Sequence, residues 1–227
     1  MPKSPYRLVV NLLQSYDPNM RSSGLATLSG MVFSDPPLAS SQQLEMVQAP
    51  LLLESLASFL SLTADPSLAT STLELLCELA KGLEAEKREC KAAIYDSQVF
   101  LNLLSLLPPS SPLPSLPLQQ WAWSLVTTLS AVRDELKLEL FSSHGMPLLL
   151  QAGVESTDDY ASEEAVRTLA NLCSYEEVAS AVLDEHPELV RALVGALTRS
   201  GVPRDFKFCR KCFVQVICTI LSLSPLN

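Results

Sequence analysis

The sequence predicts an all-α fold, a right-handed α-solenoid of about five three-helix repeats. A short pattern recurs five times: a large aliphatic residue, a small one, a variable one and another apolar one. Its copies begin at Leu28, Leu76, Leu129, Leu169 and Ile217. A helical unit repeated with a period in the forties is the signature of an α-solenoid. Composition agrees, because 48% of the residues are hydrophobic and only seven are Gly, with few alternating runs that would favour strands.

Each repeat is predicted to have one short helix followed by two long ones, the last carrying the recurring pattern. The second helices are the apolar runs at 49–53, 98–104, 145–150 and 187–193. The short first helices end near residues 47, 94, 141 and 183. Asp17-Pro18 and Asp65-Pro66 open the first two third helices, because Asp caps a helix and Pro fits its first turn.

The stretch from Ser143 to Cys173 resembles an armadillo repeat. Residues 144–150 look like the family's glycine-containing turn and second helix, and residues 164–172 look like its third helix, including Asn171. The resemblance extends over nearly the whole chain, although HEAT-type repeats remain open for the less typical copies. It implies an interaction scaffold, adaptor or transport role.

One departure from the family concerns peptide binding. Armadillo proteins that grip extended peptides use a ladder of Asn and Trp on their third helices. In the other copies, the place of Asn171 is taken by Gly30, Glu78, Ala131 and Thr219. Trp121 and Trp123 also lie too far before Ala131 to form such a ladder. The sequence therefore argues against a clamp of the nuclear-import-receptor type.

Charge is distributed unevenly along the chain, whose formal net charge is −9. Residues 155–188 contain ten acids against Arg167 alone, whereas residues 199–211 are mainly basic. An acidic surface repels phosphate backbones, so we expect no general nucleic-acid binding. The acidic stretch predicts a protein partner with a basic segment, although solvated helix faces explain most of its carboxylates.

Two further patterns bear on where the protein resides. The chain contains no uninterrupted run of eighteen or more apolar residues, so we expect no membrane span. The N-terminus lacks a signal-cleavage pattern. We therefore expect a cytoplasmic or nuclear protein whose six cysteines are free thiols. The proline-rich run at 108–117 is predicted to be a surface loop, with a ligand for a proline-binding domain as the alternative.

Catalytic and metal motifs are weak. Cys209 and Cys212 supply two thiols where zinc needs four ligands, and the two histidines, His144 and His186, lie in turns of other repeats. His144 beside Ser143 does not form a nucleophile, base and orienting group. The expectation is a non-enzyme without cofactor or metal.

Candidate partner-binding residues are chosen by their place on the third helices and at the C-terminal end. Trp121 and Trp123 point about 200° apart, so one is expected in the core and the other outward. Asn171 is expected to bond either a ligand main chain or a neighbouring loop. An outward Trp and the carboxylates of the fourth repeat are expected to lie close together on adjacent third helices. The full set is Trp121, Trp123, Tyr160, Glu163, Glu164, Asn171, Phe206 and Lys211.

These observations predict one armadillo-like domain over residues 1–227, with a fragment of a longer protein as an open alternative. The predicted function is a non-catalytic protein–protein interaction scaffold or adaptor. It would bind a partner peptide, helix or domain on a concave third-helix face. The alternative is a regulatory cofactor that embraces a folded enzyme such as a chaperone or small GTPase. The uncapped C-terminal repeat also leaves dimerisation open.

Overall fold

The computed structural model describes residues 6–61, 65–107, 116–131, 134–143 and 145–198. Over these ranges it contains thirteen α-helices and no strand. The all-α prediction is therefore confirmed for the described residues. The chain divides into two compact units, Met1–Leu129 and Ser130–Asn227.

The first unit contains the first eight helices. They are α1 (Arg7–Leu13), α2 (Pro18–Val32), α3 (Ser40–Val47), α4 (Leu52–Phe59), α5 (Pro66–Ala80), α6 (Ala85–Tyr95), α7 (Gln98–Ser105) and α8 (Leu116–Ser130). The helices α3 to α5 and α6 to α8 form two complete repeats. The helices α1 and α2 correspond to the second and third helices of the preceding repeat.

The second unit contains five helices within the described residues. They are α9 (Asp134–Ser142), α10 (Met146–Val154), α11 (Asp159–Leu172), α12 (Glu176–Glu185) and α13 (Pro187–Thr198). The helices α9 to α11 form a complete repeat, and α12 and α13 are the first two helices of the next. The fifth copy of the pattern, at Ile217, lies outside the described residues.

The relative helix lengths differ from the prediction of one short and two long helices. The second helices α4, α7 and α10 have only eight or nine residues, whereas the third helices have fourteen or fifteen. Two of the apolar runs, at 49–53 and 145–150, also begin before their helices, because their first residues form the preceding turn. Leu51 (φ 64°) and Gly145 (φ 72°) are left-handed N-cap residues of α4 and α10.

Aspartates cap the third helices α2, α5 and α11, and the first two of these caps confirm the prediction from Asp17-Pro18 and Asp65-Pro66. Asp17 accepts a hydrogen bond from the N–H of Asn19 at 2.9 Å, and Asp65 accepts one from Ser67 at 2.8 Å. In the second unit, Asp158 accepts one from Tyr160 at 3.2 Å and starts α11. Each carboxylate satisfies an N–H that has no partner inside its own helix.

Equivalent helices of successive repeats stack on one another within each unit. In the first unit, α2 packs against α5, α3 against α6 and α4 against α7. In the second unit, α9 packs against α12 and α10 against α13. The four described leucines that begin the recurring pattern are fully buried: Leu28, Leu76, Leu129 and Leu169. The pattern therefore marks the core between stacked third helices.

A buried lysine ties three helices of the first unit together. Lys87 on α6 donates hydrogen bonds to the backbone carbonyls of Glu78 (3.0 Å) and Leu79 (3.1 Å), at the C-terminal end of α5. It also donates to the side-chain oxygen of Gln43 on α3. Burial lowers the pKa of Lys87 below its usual value. The ammonium completes the last turn of α5, where carbonyls lack partners within the helix.

Candidate functional site

An open cavity of about 380 Å³ lies between α2 and α5 in the first unit. We call it the α2–α5 groove. The α2 side is lined by Ser22, Leu25, Ala26, Ser29 and Phe33, the residue that follows α2. The α5 side is lined by Asp65, Ser67, Leu68, Ser71 and Glu74. On each helix the lining follows the spacing of one face, as in Ser22, Ala26 and Ser29 on α2 and Ser67, Ser71 and Glu74 on α5.

The groove lining combines hydroxyl, carboxylate and apolar groups. It contains four serines, two carboxylates and one large aromatic ring, that of Phe33, which is 49% exposed. Among the described residues that line it, none carries a positive charge. The Asp65 carboxylate is oriented by its bond to the N–H of Ser67. The groove can therefore accept hydrogen bonds and attract a cation while contacting apolar groups.

The two tryptophans lie on α8, with one in the core and one nearer the surface. Trp123 is 3% exposed, whereas Trp121 is half-buried. The main-chain carbonyl of Trp121 accepts a hydrogen bond from the Cys77 thiol at 3.8 Å, which places α8 beside α5. The opposite orientations agree with the expected 200° separation. Of the two side chains, Trp121 is the accessible one.

The amide of Asn171 contacts the preceding third helix. Its Nδ2 donates to Ser130 Oγ at 3.0 Å. The main-chain carbonyl of Asn171 accepts a hydrogen bond from the Ser174 hydroxyl at 2.7 Å. The predicted bond from this amide to a ligand main chain stays a prediction.

Glu163 and Glu164 share one cation on their own helix. Arg167 lies 2.6 Å from the Glu163 carboxylate and 2.5 Å from that of Glu164, which is 4% exposed. Tyr160 is 37% exposed in the first turn of the same helix. Both glutamates therefore already have a cation on their own helix.

The predicted proximity of Trp121 to Glu163 and Glu164 stays a prediction, since Trp121 belongs to the first compact unit and the two glutamates belong to the second. Phe206 and Lys211 lie outside the described residues. The Cys209 and Cys212 pair also lies there, as does His144.

The described cysteines are buried free thiols: Cys77, Cys90 and Cys173. Burial raises the pKa of Cys90 to about 11 and that of Cys173 to about 12. Thiols that resist ionisation are poor nucleophiles and poor metal ligands. Within the described ranges, no three His, Cys, Asp or Glu side chains cluster as metal ligands would. No helix in those ranges has both the length and the apolar character needed to span a bilayer.

Comparisons with known proteins give structural relatives only. No protein-family profile matches the chain, and no curated protein matches it in sequence. Two engineered proteins solved by the Northeast Structural Genomics Consortium have a TM-score of 0.74 with this chain. The first is 23% identical, with 97% of this chain and 81% of that one covered. The second is 21% identical, with coverages of 95% and 47%.

A third neighbour has its fold family in its name. It is a designed armadillo repeat protein in complex with the peptide (KR)4, with a TM-score of 0.63 and 16% identity. The match covers 96% of this chain and the whole of that one. The chain has the armadillo repeat fold. At sequence identities this low, the structural similarity shows the fold alone. The ligand depends on this chain's own residues.

Within the armadillo fold, the α2–α5 groove lies between successive third helices. The lining residues of this groove do not include the Asn and Trp of a peptide-binding ladder, so the ladder pattern does not predict it. A signal was available: Ser22, Ala26 and Ser29 are small residues on one side of α2, followed by Phe33. Small residues on one helix face leave space beside that helix. The sequence alone did not indicate that this face meets α5 across a gap.

Proposed function

We propose that this protein is a non-catalytic interaction module that binds an extended segment of a partner protein in the α2–α5 groove. The observation that carries the proposal is the open cavity of about 380 Å³ between two stacked third helices. Its lining offers hydrogen-bonding groups, apolar contacts and negative charge together. Binding sites commonly combine an apolar floor with a few polar groups.

An extended peptide fits this lining chemically. Its backbone N–H groups lack partners within the peptide, and the groove offers serine hydroxyls and carboxylates as acceptors. The α2 wall runs from Ser22 to Phe33, which is roughly 16 Å at the rise of an α-helix. That length matches about five residues of extended chain.

The structural neighbours give independent support for a peptide ligand. A designed protein of the same fold was crystallised with the peptide (KR)4. That ligand belongs to the designed protein. We extend only the ligand class, a short peptide, to this chain.

The test is a displayed library of short unstructured peptides, followed by binding measurements on two matched variants. Ala26→Arg places a long side chain in the groove and is expected to weaken the selected peptides at least about tenfold. Thr27→Arg is the control, because Thr27 is the next residue on α2, is exposed and does not line the groove. It adds the same charge and should leave affinity within about twofold.

Three results would count against the proposal. The library could give no binder at all, or both variants could weaken binding equally. The protein could also capture only intact folded proteins. That last outcome would favour a regulator that embraces a folded enzyme.

A further inference from the structure

We infer that Ser174 is a phosphorylation site for a protein kinase that selects acidic residues after its target serine, and that Lys137 pairs with the phosphate formed there. The site lies in the turn between α11 and α12, within the second unit. It is independent of the proposed function, because neither residue lines the α2–α5 groove. Three observations carry it: an exposed hydroxyl, a buried ammonium beside that hydroxyl, and two glutamates that follow the serine.

The Ser174 hydroxyl is held at the surface by two hydrogen bonds. The residue is exposed, and it lies two positions after the end of α11. Its oxygen accepts from the Lys137 ammonium at 2.7 Å, and its O–H donates to the carbonyl of Asn171 at 2.7 Å. Two other described serines, Ser71 and Ser156, also have an acid three positions later, but both are half-buried. Ser174 is therefore the most accessible serine with this pattern among the described residues.

Lys137 is a buried lysine of α9 that still has a hydrogen-bond donor to offer. It is 8% exposed, and its Nζ lies 2.6 Å from the Asp134 carboxylate of its own helix and 2.7 Å from Ser174 Oγ. An ammonium carries three N–H groups. Over the described residues, protein acceptors therefore occupy two of the three. Lys87, a buried lysine of α6, differs because its ammonium has three acceptors.

A phosphate on Ser174 would supply the missing acceptor. Phosphoserine carries a charge of about −1.5 to −2 near neutral pH and has three strongly accepting oxygens. Its phosphorus is bonded to the oxygen that already lies 2.7 Å from Lys137 Nζ. Rotation within the serine side chain therefore brings the phosphate oxygens within reach of the ammonium. A charge-assisted bond of this kind is stronger when one partner is shielded from water, as Lys137 is.

The residues after Ser174 suit a kinase with a basic substrate cleft. Glu176 and Glu177 follow at the second and third positions, and both are exposed. Kinases distinguish their substrates partly by the pattern of charges near the target hydroxyl.

The transfer uses ATP as the phosphoryl donor, which the kinase supplies. The Ser174 oxygen attacks the γ-phosphorus and forms a new oxygen–phosphorus bond. The bond from that phosphorus to the oxygen that bridges it to the β-phosphate breaks, and ADP leaves with the electron pair. The hydroxyl proton passes to the catalytic aspartate of the kinase.

The first experiment treats the folded full chain with casein kinase II and ATP and locates the phosphate by tandem mass spectrometry. We expect phosphate on Ser174, with incorporation at least about fivefold slower in Glu177→Gln, because the kinase loses an acid that it selects. Glu185→Gln is the matched control, since it removes an exposed carboxylate from the other end of α12 and should leave the rate unchanged. Absence of phosphate on Ser174, or equal rates for Glu177→Gln and the wild type, would overturn the assignment.

The second experiment identifies the partner of the phosphate by phosphorus NMR titration of the modified protein. The second pKa of phosphoserine is about 6, and a nearby cation lowers it. Lys137→Met should therefore raise the pKa of the phosphate by about half a unit or more, whereas Lys137→Arg should keep it low. Arg191→Met removes an exposed cation of the same unit and should leave this pKa unchanged.

Equal phosphate pKa values in the wild type and Lys137→Met would show that Lys137 is not the partner. Circular dichroism of each variant establishes that it is folded. Lys137→Gln removes the charge but keeps a hydrogen-bond donor, and it gives the same comparison should Lys137→Met not fold.

Discussion

The third helices α5 and α11 both carry glutamates, but Glu74 on α5 differs from Glu163 and Glu164 on α11 in whether a cation lies beside the carboxylate. Glu163 and Glu164 on α11 are held at 2.6 and 2.5 Å by Arg167 of the same helix. Glu74 on α5 has no such cation among the described residues and lines an open groove. The more acidic segment is thus the less promising cation site. What matters for recognition is whether a carboxylate already has a partner.

The largest expected effect comes from placing a charge in the core beneath either helix. Leu76 and Leu169 are fully buried in α5 and α11. Replacing either by Asp places an unpaired charge in that core, so we expect a loss of several kcal/mol in unfolding free energy. Urea unfolding followed by circular dichroism measures it. Thr27→Asp on an exposed face is the control, and equal stability of Leu169→Asp and Thr27→Asp would refute the repeat register.

A narrower change removes the cation that distinguishes α11 from α5. Arg167→Met removes the cation that pairs with two glutamates, one of which, Glu164, is only 4% exposed. We expect a loss of about 2 to 3 kcal/mol by urea unfolding, since a buried carboxylate loses this cation.

The matched control for that change is Arg191→Met. Arg191 forms a 3.5 Å pair with Glu188 in which both side chains are largely exposed. Its loss should cost less than about 0.5 kcal/mol. Similar losses for the two arginine variants would mean that burial does not set the strength of the α11 pairs.

The smallest expected effect concerns the hydrogen bonds that Lys87 donates to the C-terminal end of α5. Lys87→Met leaves the carbonyls of Glu78 and Leu79 without its ammonium, and we expect a loss of about 1 to 2 kcal/mol near neutral pH. Lys81→Met, which alters an exposed ion pair on the same turn, should be nearly neutral.

The dependence on pH sharpens this prediction. Because burial lowers the pKa of Lys87, the unfolded chain retains its proton over a range where the folded chain has lost it. Between the lowered value and the ordinary one near 10.5, this group therefore makes the unfolding free energy rise with pH. Subtracting the profile of Lys87→Met from that of the wild type isolates this contribution. A difference that falls over that range would contradict the assigned shift.

Much of the fold could be read from local sequence. Leu28, Leu76, Leu129 and Leu169 recur at repeat spacing, and the structure buries all four. The Asp-Pro pairs at residues 17 and 65 begin helices because capping is a contact between near neighbours in the chain. The start of the second helix α4 was placed too early because Leu51 is apolar yet belongs to a left-handed turn. Composition cannot distinguish such a residue from one inside the helix.

The candidate site could not be read in the same way. Residue type and repeat position predict Trp121, Glu163, Glu164 and Asn171 as binding residues, and these remain predictions. The structure gives the carboxylates an internal cation and the Asn171 amide a partner on the preceding third helix. None of these contacts is visible in residue type alone.

The sequence by itself determined the helical repeat, its core positions and the Asp caps of its third helices. These features depend on periodicity and on neighbours within about four residues, both of which are local properties of a chain. Only the tertiary structure decided that the faces of α2 and α5 meet across an open gap, and that Glu74 faces it without a cation nearby. Ser22 and Glu74 are far apart in sequence, so their shared groove exists only because equivalent helices stack.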